Sequence, residues 1–231
     1  MNQIAEDEVQ VWFARLDRSG DDDLARARAI LSADEIERAE SYKFEHHRRR
    51  FVVARATLRE LLSELLQRRA ESIRFEYNAA GKPALCAESG SKLRFNLSHS
   101  KDLAMYAFAM NREVGVDVEA IDEKTASGKI AENFFSPREV AALRALPREN
   151  QAEGFFNCWT RKEACVKARG VGLAHVLKDF EVSLRPDEKP EIVDGSGWAN
   201  WSLFSFRPSA GYVAALAVEG REVRVVGPLT V

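Results

Sequence analysis

Apolar and polar positions alternate along VQVWFARLD, residues 9–17, which predicts a strand near the start of the chain. The acidic stretch SGDDD reads as a loop, and Ser32 with Glu35 three residues later makes a capping box. Helical periodicity then runs from about 33 to 69 with one break. In its second part Phe51, Leu58, Leu62 and Leu65 share one face, with Arg48, Arg55 and Arg59 along one border and Arg50 at the other. Residues 72–77, SIRFEY, form a short strand that ends in the turn NAAGKPAL, and LRFNLSHSKD is a strand tip leading into a polar loop. LAMYAFAM at 103–110 is apolar on both faces, the pattern of a central, fully covered strand. Asn111 and Arg112 make a short turn, and EVGVDVEAI returns as a second strand. Pairing of the two as a hairpin sets Tyr106 opposite Asp117 and Ala104 opposite Glu119, with the NLSHS loop beside both acids.

Beyond the hairpin, KTASGKIAENFF holds a Ser-Gly turn and then helical spacing. Ser136-Pro137 starts a helix that LPREN ends, and the next helix runs from near Ala152 through FFNCWTRKEACVKA to the glycines of RGVGL. Short β-like runs (DFEVSL, WSLFSF, YVAALAV, VRVVG) fill the remainder between Pro, Gly and Asp turns. Helices interleaved with antiparallel strands in this way predict an α+β fold.

Composition narrows the function. The 231 residues suffice for one large domain or two small halves. A net charge of −2 argues against a general nucleic-acid binder, which needs a basic excess. The acidic start MNQIAEDEVQ is unlike a signal peptide, and no apolar run approaches the ~20 residues of a membrane helix. Cys86, Cys158 and Cys165 lack metal-site spacing and read as reduced thiols of a cytoplasmic protein.

The chemistry concentrates on acids in unusual company. Glu163 falls inside the stripe formed by Phe155, Phe156, Trp159 and Val166, with Lys167 at its edge, where a surface ion pair would lie opposite the aromatics. A carboxylate there needs a partner cation or its pKa rises. Asp117 and Glu119 share one strand face opposite Val114, Val116 and Val118, which is the pattern of a wet strand face or of a metal site. An all-oxygen set of carboxylates suits Mg²⁺, which takes its remaining ligands from water and phosphate. Lys82, Arg50, His99 and Lys167 supply cations for such phosphates, and no P-loop or G-x-G-x-x-G is present.

GKPAL, FNLSHS, GVDVE, FFSPREV and WTRKEACVKARGVGL, in this order, resemble the 4′-phosphopantetheinyl transferases of the larger, Sfp-type class. The resemblance implies a monomer of two similar α+β halves related by a pseudo-twofold, here 1–112 and 113–231, with coenzyme A in the cleft between them. It implies transfer of phosphopantetheine from coenzyme A to a serine of an apo carrier protein, with release of adenosine 3′,5′-bisphosphate. Asp117, Glu119 and Glu163 would hold Mg²⁺, with Mn²⁺ as a substitute, and Lys167 would stabilise the leaving group. Gly81, Lys82 and Pro83 would line the adenine pocket, and Arg50, Ser98 and His99 would face the nucleotide phosphates. The catalytic base would be Glu163, directly or through a metal-bound water, and the carrier would contact the region of Lys124, Lys129 and Phe134. Two alternatives use the same residues: a coenzyme A-binding protein without turnover, and a Mg²⁺-dependent phosphodiesterase.

Overall fold

The computed structural model describes residues 4–17, 20–126, 128–171 and 177–231. Strand β1 (Glu8–Arg15) is followed by helices α1 (Asp21–Ala29), α2 (Ala33–Glu40) and α3 (Glu45–Leu66). Helix α1 corrects the expectation of a loop at SGDDD. Asp21, Asp22 and Asp23 fill its first turn and Arg26 and Arg28 its last, so its charges complement the helix dipole. The expected capping box opens α2, with Ser32 N donating to Glu35 at 3.0 Å, and the expected break separates α2 from α3.

Strands β2 (Phe75–Tyr77), β3 (Pro83–Leu85), β4 (Leu93–Ser100), β5 (Leu103–Met110) and β6 (Val114–Ala120) come next. Helices α4 (Gly128–Phe134), α5 (Pro137–Arg144) and α6 (Arg148–Arg169) then precede β7 (Glu181–Val182), β8 (Ile192–Asp194), β9 (Trp201–Phe206), β10 (Tyr212–Glu219) and β11 (Arg224–Thr230). Ser136 caps α5 with Pro137 in its first turn, as expected. Helix α6 begins before the expected Ala152, because Pro147 caps it and residues 148–150 form its first turn. Gly170 ends it in the left-handed conformation, and the expected second glycine, Gly172, lies outside the described residues.

Two sheets stack between the two long helices. One has the order β11-β1-β5-β4 and the other β6-β10-β9. Strand β5 shows how the layers form. Ala104, Tyr106 and Phe108 pack under α3 with Leu58 and Leu62, while Met105, Ala107 and Ala109 meet Val114, Val116 and Val118 of β6. The second sheet turns Val213, Ala215 and Ala217 of β10 toward Phe155, Cys165 and Val166 of α6. The layers thus run α3, sheet, sheet, α6, and β5 is covered on both faces as its composition predicts. The C-terminal strand β11 returns to the first sheet and pairs parallel with β1, Glu8 opposite Arg224. Cys158 and Cys165 are fully buried in α6 and Cys86 is half-buried; burial pushes the Cys165 thiol up to about 12.

The hairpin expected between β5 and β6 does not form. Both edges of β5 are already taken, by β1 and by β4, and the tight turn lies one element earlier, with Lys101 at φ 49°. Strand β6 crosses to the second sheet, where Asp117 lies opposite Ala215 and Glu119 opposite Val213 of β10. Tyr106 instead donates its hydroxyl to the Ala54 carbonyl at 3.0 Å. NLSHS is likewise strand rather than loop, being the end of β4. It still reaches the acids, because β4 is the edge of its sheet that lies beside β6.

Candidate active site

Alternation along β4 aims its residues in two directions. Leu97 and His99 pair with Tyr106 and Ala104, on the α3 side, whereas Ser98 and Ser100 pair with Met105 and Leu103, on the side of β6. Ser98 Oγ donates to Asp117 Oδ1 at 2.8 Å and Ser100 Oγ to Glu119 Oε2 at 2.6 Å. On β6, Gly115 lies against α6, where a Cβ would meet the Ala164 carbonyl at 2.2 Å. Asp117 and Glu119 share the Gly115 face by alternation, so α6 comes up against the acids. Lys167 Nζ of α6 donates to Asp117 Oδ1 at 2.6 Å and to Ser98 Oγ at 3.1 Å.

The electrostatics mark this as a place short of positive charge. Burial, then the charges of Asp117 and Glu119, push the Glu163 carboxyl up to about 7, against the pull of Lys167. Burial and Asp117 likewise raise Glu119. Burial opposes the charge on Lys167, but Asp117, Glu163 and Glu119 together hold its ammonium above the usual lysine range. Asp117 is 2% exposed, and its Oδ2 is buried with no hydrogen-bond partner. Among the described residues no three His, Cys, Asp or Glu side chains stand ready-made to hold a metal ion. The donor set nevertheless suits a hard divalent cation: all ligands are oxygen, one is an orphaned buried oxygen, and two acids are raised by burial and by the charge of Asp117.

Next to the acids opens a cleft of about 560 Å³ lined by Gly81, Pro83, Ser98, His99 and Lys167, and also by Arg38, Tyr42 and Tyr77. The surrounding cleft walls, then the Lys167 charge, lower the His99 pKa and favour neutral imidazole. A smaller cavity of about 210 Å³ joins Gly81, Lys82 and Pro83 to Glu163 and Lys167. The expected site residues are therefore gathered, with two exceptions in orientation. Lys82 does not line the larger cleft; its ammonium binds Glu113 at 3.0 Å and the Ala168 carbonyl at 2.9 Å, and burial lowers its pKa. Arg50 is held by Asp17 through two bonds of 2.8 and 2.7 Å.

Sequence reasoning missed Asn78, which builds the turn before Gly81. Its Oδ1 accepts from Ala80 N and Lys82 N, and its Nδ2 donates to the Gly170 carbonyl at 2.8 Å, tying the turn to the end of α6. Asn followed by Ala-Ala-Gly is an Asx-turn signature that could have found it. Also missed was Arg55 on the cleft wall, which binds Glu35 at 2.6 Å and Tyr77 at 3.0 Å.

A cleft lined by Ser98, His99 and Lys167, with buried Asp117 on the Lys167 ammonium and Glu163 in the adjoining cavity, holds the cations and acids that a transferase of phosphate-bearing groups needs. Residues 113–217 match the family model of the 4′-phosphopantetheinyl transferase superfamily, and 18–111 match the model 4′-phosphopantetheinyl transferase, N-terminal. The chain is 40% identical to the 4′-phosphopantetheinyl transferase HetI of Nostoc sp., over 94% of this chain and 90% of that protein. It is 32% identical to a putative 4′-phosphopantetheinyl transferase of Synechocystis sp., over 85% and 78% of the two chains. The same identity, 32%, holds with a 4′-phosphopantetheinyl transferase of Bacillus pumilus over 74% and 71%. The chain belongs to the 4′-phosphopantetheinyl transferase superfamily.

Proposed function

We propose that this protein transfers the 4′-phosphopantetheine group of coenzyme A to a serine hydroxyl of an apo carrier protein of acyl, polyketide or peptidyl type. The observation that carries the reading is the meeting of Glu163, Asp117 and Lys167 at the cleft, with Glu163 titrating near 7. The serine oxygen bonds to the β-phosphorus. The bond from that phosphorus to the bridging oxygen breaks, and its electrons leave on adenosine 3′,5′-bisphosphate. Glu163, directly or through a water, accepts the serine proton. Lys167 offsets charge on the departing phosphate. Ser98 and His99 face the nucleotide phosphates, joined by Arg50 once it parts from Asp17, and Gly81, Lys82 and Pro83 form the adenine side. Asp117, Glu119 and Glu163 would hold a Mg²⁺ or Mn²⁺ ion, which supplies charge neutralisation at the pyrophosphate. The orphaned Asp117 Oδ2 supports that role.

The carrier docks beside α4, where Lys124 and Lys129 are exposed; Phe134 stands edge-on to Trp159, ring centroids 5.4 Å apart, and backs that surface. The enzyme works in the cytoplasm as a monomer of two halves, 1–112 and 113–231, with the matches to two family models supporting that division. Incubation with coenzyme A, MgCl₂ and a panel of apo carriers is expected to add the mass of one phosphopantetheine to at least one carrier. No gain across the panel overturns the reading. Release of free phosphopantetheine without a carrier would make the protein a phosphodiesterase, and coenzyme A binding with neither outcome a sensor.

A further inference from the structure

The seam between the two sheets lacks a backbone ladder. Strands β4 and β6 are each the outer strand of a sheet, and they lie side by side with both running in the same direction. Edge amides of β6 would be left unpaired, at a cost comparable to a lost hydrogen bond each. Side chains of β4 take them instead: Asn96 Oδ1 accepts from Val116 N at 2.9 Å and Ser100 Oγ from Ala120 N at 3.2 Å. Two hydroxyls of the same face then donate onward, Ser98 to Asp117 and Ser100 to Glu119.

Each acid is thereby pinned by one oxygen, and among the described residues the other makes no hydrogen bond. Asp117 Oδ1 is held by Ser98 and Lys167 while Oδ2 has no partner. Glu119 Oε2 is held by Ser100, and among the described residues no hydrogen bond falls on Oε1. Ser100 itself does not line the cleft.

We infer that Ser100 is a positioning residue: it locks the register of β4 against β6 and fixes the Glu119 carboxylate so that its free oxygen faces the phosphate site. The hydroxyl is suited to both tasks because it accepts from the Ala120 amide and donates to the carboxylate at once, which neither alanine nor a bare backbone can do. The inference rests on the functional reading above, since it gives Glu119 a ligand to hold.

The test uses the full chain and Mn²⁺ alone, followed by calorimetry or electron paramagnetic resonance, alongside the carrier assay and thermal melting. Ser100→Ala is expected to weaken Mn²⁺ binding about tenfold and to lower kcat similarly, with KM for coenzyme A little changed. Ser100→Thr keeps the hydroxyl and should restore both. Ser202→Ala removes a β-strand hydroxyl that, among the described residues, binds the Gly220 and Arg221 carbonyls. It should lower the melting temperature without changing the Mn²⁺ dissociation constant. Wild-type Mn²⁺ affinity and kcat in Ser100→Ala would overturn the inference, as would a loss that Ser100→Thr fails to restore. Absence of Mn²⁺ binding and of transfer in the wild type would overturn the functional reading, and this inference with it.

Discussion

Glu163 concentrates the conflict between stability and chemistry in one side chain. Its folded-state pKa, about 7, lies above its ordinary value of 4.5, so between those values the folded protein holds a proton that the unfolded chain has lost. Stability therefore falls as pH rises through that window; the contribution is fully present below 4.5 and gone above about 7, a difference on the order of 3 kcal/mol. Glu163→Gln is expected to remove that slope, so that at pH 8 without divalent cations it melts above wild type, yet transfers nothing. Parallel melting curves for the two proteins from pH 5 to 8 would show that Glu163 is not the strained group. The stripe of aromatics around Glu163 was legible in the sequence because a helix fixes which residues share a face. Its partner Asp117 was legible only as half of a pair, since its bond to Lys167 closes across two elements. Arg55 and Arg59 read as the border of an apolar helix face, and both reach the buried Glu35 at 2.6 Å, a contact set by how α2 lies on α3.

Among elements, the packing of β6 on α6 decides where the acids meet Lys167. At Gly115 a Cβ would stand 2.2 Å from both the Ala164 carbonyl and the Ala168 amide, which are backbone atoms that cannot swing aside. Gly115→Ala is expected to push the strand off the helix, with a destabilisation of more than about 2 kcal/mol in urea and loss of transfer well below the melting point. A fully active, equally stable variant would contradict this placement of the site. Period and composition exposed most elements, including the covered strand β5 and the proline start of α5. They misplaced the partner of β6, because an apolar strand beside a tight turn looks the same whether its neighbour lies in its own sheet or in the one stacked on it. The start of α1 was missed because three successive aspartates suggest solvent, although they also suit a helix amino terminus.

For the molecule as a whole, the return of β11 means the two halves do not separate cleanly in the sequence. It covers the edge of β1, joining the last residues of the chain to the first sheet. Deleting residues 222–231 is expected to leave β1 with an unpaired edge and to raise amide exchange along β1 and β5, while α6 and β10 stay protected; uniform protection in the shortened chain would refute this. The interior of α6 also bears on the cargo itself. Coenzyme A carries a thiol, and any thiolate of the protein near the cleft could be trapped by its oxidised form as a mixed disulfide. Burial raises both Cys158 and Cys165 far from thiolate character, and both are closed to solvent. Exchange requires an accessible thiolate, so the helix that bears Glu163 and Lys167 is inert toward the molecule it serves. Treatment with coenzyme A disulfide should therefore mark Cys86 alone by peptide mass mapping and leave transfer intact, so that the protein can work in a redox-fluctuating pool of its own substrate without a reductant to protect it.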